Sequence, residues 1–100
     1  MAEDRVGCRT PAAGRDGVTS IPRWKFDAVR AAILDAIRAV GPEGLRFADL
    51  SSEVRARLDA ATLERLGSVG WHATMVKLEL EVRGEIRRRP GTGPQRLVLA

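Results

Sequence analysis

Val76-Lys77-Leu78-Glu79-Leu80-Glu81-Val82-Arg83-Gly84-Glu85-Ile86-Arg87-Arg88 changes character once, at Gly84. Before the glycine, apolar residues recur every three or four positions, the spacing of a helix. After it, Ile86 stands between charged neighbours, the alternation of a strand. Glycine at this junction suits a helix C-terminus, because it adopts the left-handed conformation at little cost. The stretch predicts a helix over Val69–Arg83 with Ser68 as N-cap, then a strand over Glu85–Arg89. Pro90-Gly91-Thr92-Gly93-Pro94 reads as a turn and Gln95–Leu99 as a second strand, so the chain ends in a hairpin.

Upstream, two further helices are expected. Phe26, Val29, Ile33, Ala36, Ile37 and Val40 share one helical face, with Ser20 as a candidate cap, Pro22 in the first turn and Gly41-Pro42-Glu43-Gly44 as the stop. Phe47, Leu50, Val54 and Leu58 form a second stripe. Between these helices Leu45-Arg46 is a short extended link. Asp59 to Gly67 is a connection in which Leu63 and Leu66 can form a covering helical turn. Residues 1–20 show no apolar period and read as a flexible arm, with Cys8 as an exposed thiol without a role. Residues 21–100 are then a single domain.

A two-stranded hairpin is marginal alone and must pack on helices, a task for Ile86, Leu97 and Leu99. The expected class is α+β, mainly α: a three-helix core with a C-terminal two-stranded β-hairpin. That order is the winged helix-turn-helix plan, with the third helix in the recognition position and the hairpin as the wing.

Val76–Arg88 also resembles the end of the third helix in winged-helix regulators, where an apolar face, a helix-ending Gly and an Ile-x-Arg strand follow in this order. With Gly70-Trp71, Thr74, Pro94, Gln95 and Arg96, the chain is similar to a small uncharacterised bacterial family, a domain of unknown function. The resemblance spans about residues 22–99. It implies the fold and brings no catalytic residues. The extra terminal helix that many regulators use for dimerisation is lacking.

The formal net charge of the 100 residues is +4. Most of the excess is local: residues 85–100 hold Arg87, Arg88, Arg89 and Arg96 against Glu85 alone. Alternation puts Arg87 and Arg89 opposite Ile86 and puts Arg96 opposite Leu97, so the wing is expected to present a basic patch to DNA phosphate. A solvated edge strand that repels other edges is the competing reading.

The third helix is apolar on two sides. Val69, Ala73, Val76 and Leu80 make one stripe, and Trp71, Met75, Leu78 and Val82 make another, nearly opposite. The first is assigned to the core. The second is then either covered by the N-terminal segment or the 59–67 connection, or open as a homodimer or partner interface. Base readout rests on His72, Thr74 and Lys77 in the flanks, a thin set beside Glu79 and Glu81, whose charges helical ion pairing and solvation explain.

A hydrophobic content of 44% supports a folded core. One cysteine excludes an internal disulfide framework and a Cys-rich zinc site. Phosphate-cradling loops, nucleophile elbows and metal-spaced His/Cys/acid clusters are missing from the sequence, and His72 is the only histidine. No catalytic residue, cofactor or metal is therefore expected. No apolar run is long enough to cross a membrane, and Met1-Ala2-Glu3-Asp4-Arg5 lacks a signal-peptide pattern, so a cytoplasmic location is expected. The expected function is a non-enzymatic DNA-binding regulator of transcription. The alternative is a protein-interaction or dimerisation module on the same scaffold.

Overall fold

The computed structural model describes residues 4–9, 18–91 and 93–100. Most of the expected arm's interior, its first three residues and Thr92 of the expected turn lie outside the described residues. The chain runs β1 (Arg5–Arg9), β2 (Val18–Pro22), α1 (Arg23–Val40), β3 (Leu45–Arg46), a 3-10 turn (Phe47–Asp49), α2 (Leu50–Ala56), α3 (Ala60–Leu66), α4 (Val69–Arg83), β4 (Ile86–Arg88) and β5 (Arg96–Leu99). The class is α+β and mainly helical, with strands at both ends of the chain instead of the C-terminal end alone.

The central helices follow from their apolar spacing. Phe26, Val29, Ile33, Ala36 and Ile37 of α1 are buried against Val69, Ala73, Val76 and Leu80 of α4 and against Leu50 and Val54 of α2. Val40, expected on the same face, is exposed beyond the packed turns. Helix α4 begins and ends where the sequence places it. The Ser68 hydroxyl accepts from the Trp71 N–H at 3.1 Å, and Gly84 closes the helix at φ 76°, in the left-handed region.

The second helix is shorter than its stripe. Phe47 starts a 3-10 turn and stays 39% exposed, so the packed helix begins at Leu50. The expected connection contains a full helix, α3. Asp59 caps it by accepting from the Thr62 N–H at 2.7 Å, and it buries Leu66.

The C-terminal hairpin has a third strand. Leu45-Arg46 pairs with β5, in register Leu45↔Leu97 and Arg46↔Arg96, so the sheet order is β3-β5-β4. Gly44 makes this approach feasible. It is buried at φ 87°, and an added Cβ would lie 3.0 Å from Arg96 Cβ and 3.2 Å from the Leu97 carbonyl oxygen.

Residues 5–9 and 18–22 differ most from expectation. They pair as an antiparallel hairpin, in register Val6↔Ile21 and Cys8↔Thr19. Val6, Cys8 and Ile21 are buried in the main core, and the Val6 and Ile21 side chains each contribute about 1.5–3 kcal/mol by leaving water. Cys8 is therefore buried rather than exposed. Desolvation pushes its thiol pKa up, Glu79 adds to the rise, and Arg83 partly opposes it. Ser20 does not cap α1; its hydroxyl accepts from Arg5 Nε at 2.8 Å within the hairpin, and α1 follows Pro22 without a side-chain cap.

One carboxylate fastens this hairpin to α4. Glu79, 1% exposed, accepts from the Arg9 backbone N–H at 2.8 Å, from Arg9 Nε at 3.0 Å and Nη2 at 2.7 Å, and from Arg83 Nε at 2.8 Å. Glu79 is thus a buried anchor and not a solvated charge. The hydrogen bonds from Arg9 are the main reason its pKa falls from 4.5 to about 2, with Arg83 adding to them against a desolvation penalty.

Candidate nucleic-acid interface

Strand register sorts the arginines of the C-terminal sheet onto two faces. Ile86 and Leu97 are fully buried, so Arg87 and Arg96, adjacent to them in sequence, point away from the core. Arg87 stands opposite Val98, and Arg89 is joined to Arg96 by a backbone hydrogen bond of 2.7 Å from its N–H to the Arg96 carbonyl. Arg96 in turn stands opposite Arg46. Arg89, Arg96 and Arg46 therefore follow one another across three strands. Like charges in direct cross-strand positions repel, a cost that Asp49 offsets at the Arg46 end by accepting from Arg46 Nε at 2.9 Å.

Arg88 belongs to the other face. It stands opposite Leu97, and its Nε donates to Glu81 Oε1 at 2.8 Å. The four arginines expected to act together are thus divided, three outward and one tied to α4.

Ion pairing sharpens the division. Carboxylates engage Arg9, Arg23, Arg30, Arg46, Arg57, Lys77, Arg83 and Arg88. Among the described residues, Arg87, Arg89 and Arg96 have no carboxylate partner, and neither does Arg38 in the last turn of α1. The Arg89 and Arg96 guanidiniums donate only to backbone, to the Glu43 carbonyl at 3.0 Å and the Gly44 carbonyl at 3.5 Å. A carbonyl leaves the positive charge uncompensated. Arg89 and Arg96 line a cleft of about 360 Å³ with Pro90, Gly91 and Pro94, while Arg38 and Arg87 line a second one beside it on β5. Arginine's planar fork suits phosphate in such a setting.

Two of the three candidate groove residues on the flanks of α4 are buried. His72 is buried, and its Nδ1 lies 2.7 Å from the Ser68 carbonyl oxygen, which makes Nδ1 the donor. Its ring meets Trp71 edge-on at 4.8 Å. Lys77, 2% exposed, puts its Nζ 3.0 Å from Glu81 Oε2 and 5.1 Å from the Phe47 ring centroid. Burial lowers its pKa, with Glu81 opposing. Both side chains turn inward because the core face of α4 extends beyond the apolar stripe into its borders. Thr74 alone of the three retains partial exposure.

The second stripe of α4 is partly exposed. Trp71 is 45% exposed and Val82 37%, with Met75 and Leu78 half-buried between them. The N-terminal hairpin packs on the Glu79 side of the helix, and α3 packs on α4 while also reaching α1: the Leu66 carbonyl accepts from Lys25 Nζ at 3.1 Å and Arg65 lies 4.8 Å from the Trp24 ring. Trp24 itself is half-buried, with Lys25 Nζ 5.6 Å and Arg65 Cζ 4.8 Å from its ring centroid.

Among the described residues, no three His, Cys, Asp or Glu side chains gather where they could hold a metal ion. Among the same residues, no helix is long and apolar enough to cross a membrane. Two members of the arginine face escaped the sequence reading. Arg46 gains its place only through the β3–β5 register, and Arg38 only through the packing of the α1 terminus beside β5. Helical position alone put Arg38 outside the core stripe and said nothing of its neighbours.

Residues 5–97 match a family of unknown function, DUF6958, and the chain belongs to that family. No curated protein and no solved structure matches it.

Proposed function

We propose that this DUF6958 chain is a non-enzymatic winged-helix domain that binds duplex DNA through the phosphate backbone, as a regulator of transcription. The element order after the N-terminal hairpin supports the scaffold: a helix, a short strand, further helices and a hairpin, with the short strand joining the hairpin as β3-β5-β4. The observation that carries the function is the convergence of Arg38, Arg87, Arg89 and Arg96 beside one sheet face without carboxylate partners.

The mode of binding follows from what α4 lacks. Its accessible face is apolar, and its buried His72 and Lys77 cannot reach base edges, so specificity through the major groove is weak. Affinity then comes from counterion release. Each phosphate neutralised contributes a slope of about −0.9 in log K against log salt. Four arginines in contact give a slope between about −3 and −4. Titrating a labelled duplex by fluorescence anisotropy at several salt concentrations tests this. Arg87→Ala with Arg89→Ala should flatten the slope by about 2, and an unchanged slope would overturn the reading.

The partly exposed stripe on α4 favours a second reading, an interaction module on the same scaffold. Trp71, Met75, Leu78 and Val82 follow the four-three-four spacing of a helix-pairing seam. In that reading the folded chain self-associates or takes a partner, and Met75→Glu or Leu78→Glu abolishes the association while the far-UV circular dichroism spectrum stays unchanged. A chain that sediments as a monomer at high concentration would contradict the self-associating form.

A further inference from the structure

A cleft of about 430 Å³ lies between the C-terminal end of α1 and strands β4 and β5. We propose that it binds a small amphipathic carboxylate, with the carboxylate held by Arg38 and Arg87 and an aromatic or branched apolar body resting on Ile37, Pro42, Val98 and Leu99. This goes beyond backbone binding of DNA and does not depend on it.

Three observations support the ligand class. The volume falls within the range of small-molecule sites, about 300–1,000 Å³. The lining combines an apolar floor with two cations, the composition that orients a ligand by one polar end. Both cations are exposed and, among the described residues, engage no carboxylate and no carbonyl, so each keeps its fork of donors for a ligand oxygen.

The floor decides against a bare phosphate. Ile37 is buried at its base, Val98 is half-buried, and Leu99 is an exposed large apolar side chain at its edge. A hydrated inorganic anion gains nothing from covering Val98 and Leu99, whereas an apolar body removes their exposed area from water. Arg38 stands in the last turn of α1, where its charge offsets the negative end of the helix dipole, and Arg87 on β4 adds the second cation for the anionic head; the apolar body lies toward Pro42 and Leu99. The neighbouring cleft at Arg89 and Arg96 has proline and glycine walls and lacks the buried aliphatic floor.

The test is a titration of the intact chain followed by heteronuclear NMR and calorimetry. The probes are 3-phenylpropionate, isovalerate and benzoate, with acetate as head alone and 3-phenylpropanol as body alone. Expected is saturable one-to-one binding of the apolar carboxylates, with shifts confined to residues 37–42, 87 and 98–99. Acetate and the alcohol should bind about tenfold more weakly. Arg38→Gln and Arg87→Gln should each weaken binding about tenfold, and Leu99→Ser should weaken the phenyl ligand more than acetate. All three sites are at the surface, so unchanged spectra away from the cleft verify folding. Absence of saturable binding by every apolar carboxylate up to about 10 mM overturns the proposal. Binding that survives the double arginine substitution, or shifts centred on Trp71 instead, overturns it equally.

Discussion

Replacing Glu79 with glutamine should cost about 2–3 kcal/mol of folding stability at neutral pH. The figure follows from the carboxylate's surroundings. Its pKa is held at about 2, against an ordinary 4.5, by the Arg9 side chain and amide and by Arg83. At 1.36 kcal/mol per pH unit this depression corresponds to about 3 kcal/mol, and the partial exposure of both arginines lowers the upper end through solvent screening. Because the folded carboxyl titrates below its unfolded value, the stabilisation is fully present above about pH 4.5 and drains away as the pH falls toward 2. Urea unfolding of the wild-type chain and of Glu79→Gln at pH 7 and at pH 3 measures both effects. The wild-type chain should lose most of its advantage over the variant at the lower pH. Amide exchange at Arg9, whose N–H donates to the carboxylate, should accelerate in the variant even where the helices stay protected. A variant within about 0.5 kcal/mol of wild type, with the same pH dependence and an unaltered Arg9 amide, would refute the claim that Glu79 fastens the N-terminal hairpin.

Two further outcomes follow from local geometry. Gly44→Ala should destabilise the fold by about 1–3 kcal/mol in urea melts, because φ is 87° and the new methyl meets Arg96 Cβ and the Leu97 carbonyl. The same substitution should weaken DNA binding by displacing Arg96. Cys8 should resist Ellman's reagent at pH 8 until denaturant is added, since its thiol is 1% exposed and its pKa is raised by burial; immediate labelling of the native chain would contradict the hairpin's packing.

The central helices were legible because their signals are redundant. In α4 the cap at Ser68, the stripe through Val76 and Leu80 and the left-handed Gly84 all agree, and the structure keeps each. The N-terminal hairpin was not legible. Its inward side chains are Val6, Cys8 and Ile21, too few to show alternation among Gly, Arg and Thr, and its anchor Glu79 lies 70 residues from Arg9. The third strand was hidden for a similar reason: two residues have no period, and Leu45-Arg46 becomes a strand only when β5 arrives.

The candidate interface was half legible. Alternation correctly separated Arg87, Arg89 and Arg96 from the core, because period two needs no tertiary information. It could not assign Arg88 to Glu81, nor bring Arg38 and Arg46 to the same sheet. His72 and Lys77 were misjudged because a helical wheel locates a flank but not the depth of the elements packed against it. Lys77 disappears beneath Phe47 and Glu81, and His72 folds back on Ser68.

The most direct test of the proposed function is the salt dependence of duplex binding for the wild-type chain beside Arg87→Ala/Arg89→Ala/Arg96→Ala. Between about 50 and 200 mM salt, the wild-type chain should follow a slope of about −3 to −4, and the triple variant should fall to about −1. A wild-type chain that binds no duplex at the lowest salt, or a triple variant with the wild-type slope, would contradict it.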